Sequence, residues 1–202
     1  MDSRETAERL RDEGLNLLQD LGWPKLFDSL FSTHAITGSL RYDLMVWRDM
    51  DIHMPVEPER RIEWAALLPA LNAGLERAGC RLHKAQFLDD YVDPHPLGAG
   101  LYWGVEFVTP QGAPWKADIW GWAPDDFAMR QARDAQLIAD LARADRDLIL
   151  ALKTEARAKP GYYGVITGSM DIYRFARASA GTSLDALETW KAAQSLSEAG
   201  SS

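Results

Sequence analysis

The sequence predicts an α+β fold, a mixed β-sheet flanked by helices, whose last third is entirely helical. Three observations predict it: helical spacing of leucines near the N-terminus, alternating and β-branched segments in the middle, and a return to helical spacing after residue 123. We therefore expect two parts, an α+β core with its N-terminal helix over 1–123 and a helical C-terminal subdomain over 124–202.

The first elements follow from local pattern. Residues 3–20 carry a leucine stripe typical of an amphipathic helix, which Gly22 and Pro24 are expected to end. A short β-type segment at 34–37 comes next. One or two helical turns are predicted over 40–45.

Strands dominate the middle of the chain. Residues 49–54 alternate strictly between polar and apolar side chains, which predicts a half-buried strand. One helix is expected over 58–79, where Ile62 belongs to the apolar stripe. Further strands are expected at 82–92, 101–109 and 115–122, and the last two should form a hairpin.

The C-terminal third shows helical patterns only. Pro124 begins a helix that the leucine spacing extends to about Lys159. Two more helices are expected over 168–179 and 183–195.

Composition excludes several classes of protein. The 202 residues include 22 basic and 30 acidic ones, which gives a net charge of −8. This charge argues against a protein whose main function is to bind nucleic acid, because phosphate binding requires basic residues. Cys80 is the single cysteine, so neither an intrachain disulfide nor a cysteine-built zinc site is possible. The charged N-terminus and the lack of a long apolar run predict a soluble, cytoplasmic protein with no membrane partner.

One short stretch carries the chemistry. Gly38 and Ser39 are followed ten residues later by Asp49 and Asp51, which alternation places on one strand face with Cα atoms about 7 Å apart. Carboxylates this close repel unless a cation lies between them, and hard oxygen ligands suit Mg²⁺. Gly38 would let the backbone approach a phosphate, whose oxygens Ser39 could hold.

Asp118 is the expected third carboxylate. It lies between apolar residues inside a strand, where a charge is costly unless it is paired or binds a metal. Pairing with Lys116 or Arg48 is the alternative. Ser39 could likewise be only a helix cap, and Asp49 and Asp51 a solvated strand face.

These residues resemble a known pattern. Thr37-Gly38-Ser39, Asp49-Met50-Asp51 and Asp118 look like the motifs of the nucleotidyltransferase superfamily shared with polymerase-beta-like enzymes. The string Arg48-Asp49-Met50-Asp51 is similar to one in small antibiotic nucleotidyltransferases, and the pattern also resembles a group of uncharacterised bacterial relatives. The resemblance covers about residues 30–122.

The resemblance implies a nucleotidyltransferase-like core and an activity. Two Mg²⁺ ions would be bound by Asp49 and Asp51, with Asp118 completing the triad and Ser39 holding the β,γ-phosphates. A nucleoside monophosphate would pass from a nucleoside triphosphate, with ATP the expected one, to a hydroxyl or amine of a small molecule or protein. Pyrophosphate would leave.

Further candidates surround the triad. Glu106, placed across the hairpin from Asp118, is a candidate general base. Arg48 and Lys116 are candidate nucleotide contacts. Trp120 shares the strand face of Asp118 and, with Trp122, could stack on a base, core packing being the alternative.

Two other functions stay open. The first is a non-catalytic nucleotide-binding or interaction module on the same fold. The second is an unrelated α+β domain with surface acids, which a distance above about 10 Å between Asp49 and Asp118 would indicate.

Overall fold

The computed structural model describes residues 2–93 and 98–199, with side chains to residue 196. Residues 8–135 form one compact unit, and the described residues before and after them form a second. No helix in the described part of the chain is both long and apolar enough to cross a membrane.

The first unit contains a mixed five-stranded sheet. Its strands stand in the order β1-β2-β5-β4-β3, with β2 and β5 parallel and the other neighbours antiparallel. They are β1 Ala35–Thr37, β2 Asp49–Pro55, β3 Arg81–Asp89, β4 Leu101–Val108 and β5 Pro114–Trp122. The fold class and the β4–β5 hairpin predicted from the sequence are confirmed.

The described residues of both units also form helices. They are α1 Ser3–Leu21, α2 Trp23–Phe31, α3 Gly38–Tyr42, α4 Arg61–Ala65, α5 Leu68–Arg77, α6 Pro124–Leu141, α7 Arg146–Ala158, α8 Ser169–Ala178 and α9 Leu184–Ala199. A 3₁₀ turn, Pro58–Arg60, precedes α4. The division between the two compact units falls inside α6.

The hydrophobic core lies on one face of the sheet. Alternate residues of β2, including Met50 and Ile52, are buried there together with Ala117 and Ile119 of β5. Leucines of α1 and α5 and the aromatic residues of α2 cover them. The polar residues of the alternation are thereby left on the opposite face of the sheet.

Helix α2 differs from the prediction, in which Pro24 helps to end the preceding helix. Pro24 is the second residue of α2. Proline has no backbone N–H group, but the N–H groups of the first helical turn make no bond within the helix, so proline is tolerated there. Trp23, Phe27 and Phe31 follow at four-residue spacing and are all buried. Their burial indicates that tertiary packing stabilises this nine-residue helix.

Two long helices predicted from the sequence are each divided. The segment 58–79 breaks into a 3₁₀ turn, α4 and α5, and Ile62 is 79% exposed rather than part of an apolar stripe. The segment 124–159 breaks between α6 and α7, where the Asp145 carboxylate accepts a hydrogen bond from the Leu148 N–H at 3.1 Å. A capped start is more favourable there than an uninterrupted helix.

Gly74 of α5 permits a close helix contact, which provides a stability test. A Cβ atom there would lie 2.5 Å from the Leu21 carbonyl oxygen and 2.7 Å from Trp23 Nε1. We expect Gly74→Ala to lower the free energy of unfolding by about 1–3 kcal/mol, because overpacking outweighs the helix propensity of alanine, worth about 1 kcal/mol. Urea unfolding measures it, and a more stable variant would contradict the described contact.

Candidate active site

Three carboxylates converge on the polar face of the sheet. Asp49 and Asp51 lie on β2 and Asp118 on β5, and Asp51 and Asp118 are direct partners in the parallel pair. One ligand oxygen from each lies within 4.8 Å of the other two, and all three residues are half-buried. The convergence predicted from strand alternation is therefore observed. Carboxylate oxygens are ligands of the kind that Mg²⁺ prefers.

Gly38 lies directly against Asp51. Its neighbour Thr37 pairs with Asp51 across β1 and β2, and Gly38 itself begins α3 with a φ of 64°. A Cβ atom at this position would overlap the Asp51 carboxylate. Both the left-handed backbone and the close approach therefore require glycine, and the next residue, Ser39, is buried.

Asp118 has a donor on each carboxylate oxygen. The Lys116 ammonium donates to Oδ2 at 2.6 Å, and the Tyr102 hydroxyl donates to Oδ1. Burial opposes the charge of Lys116, but the hydrogen bond to Asp118 and the nearby acids raise the pKa of Lys116 above its usual range. The alternative of an ion pair between Asp118 and Lys116 is therefore observed, and Arg48 takes no part in it.

Tyr102 is a site residue that the sequence analysis missed. Burial and the hydrogen bond to Asp118 raise the pKa of Tyr102, so its phenol keeps its proton and donates. Gly104, the cross-strand partner of Asp118, gives it room, since a Cβ atom there would lie 2.5 Å from the Tyr102 hydroxyl. The alternation of β4, which puts Tyr102 and Gly104 on one face, was the available signal.

The sequence predicts that Glu106 lies across the hairpin from Asp118, and this prediction is wrong. The turn between Val108 and Pro114 sets a register in which Glu106 pairs with Lys116. Glu106 shares the sheet face of the triad, but its carboxylate lies 3.4 Å from the Lys84 ammonium. Glu106 is two residue pairs along the hairpin from Asp118, so it does not occupy the position predicted for the general base.

Arg48 faces the opposite side of the sheet. Its guanidinium donates to both carboxylate oxygens of Glu13 on α1, at 2.8 and 3.2 Å, and Trp115 donates to the same carboxylate at 3.3 Å. Successive strand side chains point to opposite faces, so the residue before Asp49 turns away from it. The expectation that Arg48 contacts the nucleotide is corrected accordingly.

An aromatic row borders the triad. Trp120 and Trp122 stack on each other with ring centroids 4.6 Å apart, and Tyr102 lies 4.6 Å from Trp120. The Arg130 guanidinium of α6 lies 3.4 Å from the Trp122 ring centroid. Trp122 is 1% and Trp120 8% exposed, so the packing alternative describes both indole rings, and Tyr102 is the more exposed member of the row.

His53 follows Asp51 on the same strand face, and its environment predicts an acid-sensitive fold. Burial, with a smaller contribution from the charge of Arg130, lowers the pKa of His53 from its ordinary 6.5 to about 4. The unfolded chain binds this proton more readily than the folded protein does. The contribution of neutral His53 to the free energy of unfolding is therefore fully present above pH 6.5 and is lost as the pH falls toward 4. At pH 5 the loss should be about 2 kcal/mol.

The variant His53→Phe keeps an aromatic ring against Trp122 and removes the titration. Unfolding free energies in EDTA at pH 7.5 and pH 5 should therefore differ by about 2 kcal/mol less in this variant than in the parent. His83→Phe, at an exposed position of β3, is the matched control and should keep the parent difference. An unchanged pH difference in His53→Phe would refute the assignment.

No protein-family model matches the sequence, and no curated protein matches it. Among solved structures, Cid1, which is described with RNA terminal uridylyl transferase activity, is similar to this protein at 13% sequence identity and a TM-score of 0.41. The similarity covers 84% of this chain and 50% of the Cid1 chain, so this protein spans about half the length of that structure.

Proposed function

We propose that this protein is a Mg²⁺-dependent nucleotidyltransferase that moves a nucleoside monophosphate from a nucleoside triphosphate to a hydroxyl or amine. The observation that carries the proposal is the convergence of Asp49, Asp51 and Asp118 beside Gly38. These residues also form the pattern that resembles the superfamily. The expected triphosphate is ATP.

Each residue has a proposed role. Asp49, Asp51 and Asp118 would hold two Mg²⁺ ions, which when bound supply positive charge near the attacking and leaving oxygens. Gly38 and Ser39 would lie against the β,γ-phosphates. The Tyr102 hydroxyl would orient the Asp118 carboxylate, as outer hydrogen bonds do for metal ligands.

The reaction is an in-line displacement. A lone pair on the acceptor oxygen or nitrogen forms a bond to the α-phosphorus while the bond to the bridging oxygen of pyrophosphate breaks. The acceptor proton passes to water. Because the chain carries a net charge of −8, we propose a small molecule or a protein side chain as acceptor rather than a nucleic acid.

A second candidate is a non-catalytic nucleotide-binding module on the same fold. The Lys116–Asp118 contact at 2.6 Å favours it, because this ammonium already balances one acid of the triad without any ion. Such a module would bind nucleotide without releasing pyrophosphate. The two candidates therefore differ in a measurable product.

Thermal unfolding with each of the four nucleoside triphosphates, in EDTA and in Mg²⁺, tests binding first. We expect stabilisation only with Mg²⁺ and one preferred nucleotide, worth about 2.7 kcal/mol at a concentration one hundred times Kd. Pyrophosphate release with that nucleotide, across panels of small molecules and proteins, then tests transfer. Stabilisation without release would favour the module, and no response to any nucleotide would refute both candidates.

A further inference from the structure

An acid on α6 reaches the corner of the sheet where Gly38 meets Asp51. The Asp134 carboxylate accepts a hydrogen bond from the Thr37 hydroxyl at 2.8 Å and another from the Tyr42 hydroxyl. The two hydroxyl oxygens lie 3.2 Å apart. One helix is thus joined to both ends of the segment that contains Gly38, although Asp134 lies 97 residues after Thr37 in the chain.

These two hydroxyl groups are next to the triad. Thr37 is the cross-strand partner of Asp51. Tyr42 ends α3, the short helix that Gly38 begins. Gly38 in turn packs so closely on Asp51 that no Cβ atom fits between them. Asp134 is therefore bonded to the residue that precedes Gly38 and pairs with Asp51, and to the residue at the other end of α3.

The phenol of Tyr42 is held as a donor. Burial and the hydrogen bond to Asp134 raise the pKa of Tyr42, so its proton stays on the oxygen at any physiological pH. A protonated Tyr42 directs its hydrogen toward the Asp134 carboxylate, because an ionised carboxylate can only accept. Asp134 therefore accepts a hydrogen bond at each end of the segment 37–42, which contains Gly38.

We propose that Asp134 is a positioning residue for Asp51, acting through Thr37 and Tyr42 on the Gly38 backbone. The inference rests on the proposed function, in which Asp51 is a metal ligand whose carboxylate must keep a fixed position. A residue that holds the Gly38 corner would limit the movement of the Asp51 carboxylate before any ion binds. Outer contacts of this kind commonly change metal affinity 10–100-fold when they are removed.

The test measures Mn²⁺ binding in the absence of nucleotide, by the electron paramagnetic resonance signal of the free ion. Tyr42→Phe is the main variant, because it keeps the ring and removes only the bridging hydroxyl. Asp134→Ala removes the shared acceptor. We expect each variant to raise the Kd for Mn²⁺ about tenfold. The Kd for Mn²⁺ of the double variant should be no higher than that of the single variant with the higher Kd, because both substitutions act along one path.

Asp140→Ala is the matched control on the same helix. Asp140 accepts hydrogen bonds from the side chains of Gln136, Arg143 and Arg177 and has no described contact with the triad. Its loss should change thermal stability without changing the Kd for Mn²⁺ more than about twofold. If Asp134 had only a structural role, Asp134→Ala would likewise change thermal stability and leave the Kd for Mn²⁺ unchanged. The Kd for Mn²⁺ therefore separates a positioning role from a structural one.

The outcomes distinguish the inference from the proposed function. Parent-like Mn²⁺ affinity in folded Tyr42→Phe and Asp134→Ala would overturn the positioning role while the metal site stands. If Asp134→Ala does not fold, Tyr42→Phe alone decides. If the parent binds no Mn²⁺, or Asp51→Asn binds it as tightly as the parent, the proposed function fails and this inference fails with it.

Discussion

Replacing Asp51 by asparagine is expected to abolish nucleotidyl transfer while leaving the protein folded. Asparagine keeps the shape of the side chain but removes the charge of a proposed metal ligand. Losing several kcal/mol of transition-state stabilisation lowers the rate about 10³-fold or more. In EDTA the variant should be as stable as the parent or slightly more stable, because three carboxylates with oxygens within 4.8 Å repel one another.

Addition of Mg²⁺ and nucleotide should reverse that order of stability. The parent gains stability by binding, whereas the variant has lost a ligand. Asp12→Asn, at an exposed position of α1, removes the same charge and should respond to Mg²⁺ and nucleotide like the parent. A variant that is destabilised in EDTA, beside a parent that does not respond to Mg²⁺ and nucleotide, would mean that Asp51 is structural.

The second large effect is expected for Gly38→Ala. A left-handed conformation costs a non-glycine residue about 1–2 kcal/mol. The added methyl group must also displace the Asp51 carboxylate or the backbone that packs on it. We expect loss of both the Mg²⁺–nucleotide stabilisation and the pyrophosphate release, with a fall in unfolding free energy of about 2 kcal/mol or more.

Gly112→Ala separates the two causes. Gly112 lies in the β4–β5 turn with a φ of 81°, and a Cβ atom there would meet nothing within 4 Å. This variant carries the backbone strain alone, so it should lose about 1–2 kcal/mol of stability and keep its response to Mg²⁺ and nucleotide. Equal nucleotide responses in Gly38→Ala and Gly112→Ala would show that the Gly38–Asp51 contact has no functional role.

Features with a local cause could be predicted from the sequence. Alternation over residues 49–54 determined that Asp49 and Asp51 share a face, because successive strand side chains point to opposite sides of any sheet. The same parity placed Asp118 and Trp120 together on β5. The glycine at position 38 was identified for the same kind of reason, since close approach of a backbone requires the absence of a Cβ atom.

Features that depend on register or on distant packing were decided only by the tertiary structure. The hairpin register places Glu106 two residue pairs from Asp118, and α1 supplies the Glu13 carboxylate that Arg48 binds. Tyr102 on β4 and Asp134 on α6 gained their contacts in the same way. Each of these contacts joins two different elements, and side-chain periodicity within one element carries no information about which other element will pack against it or in what register.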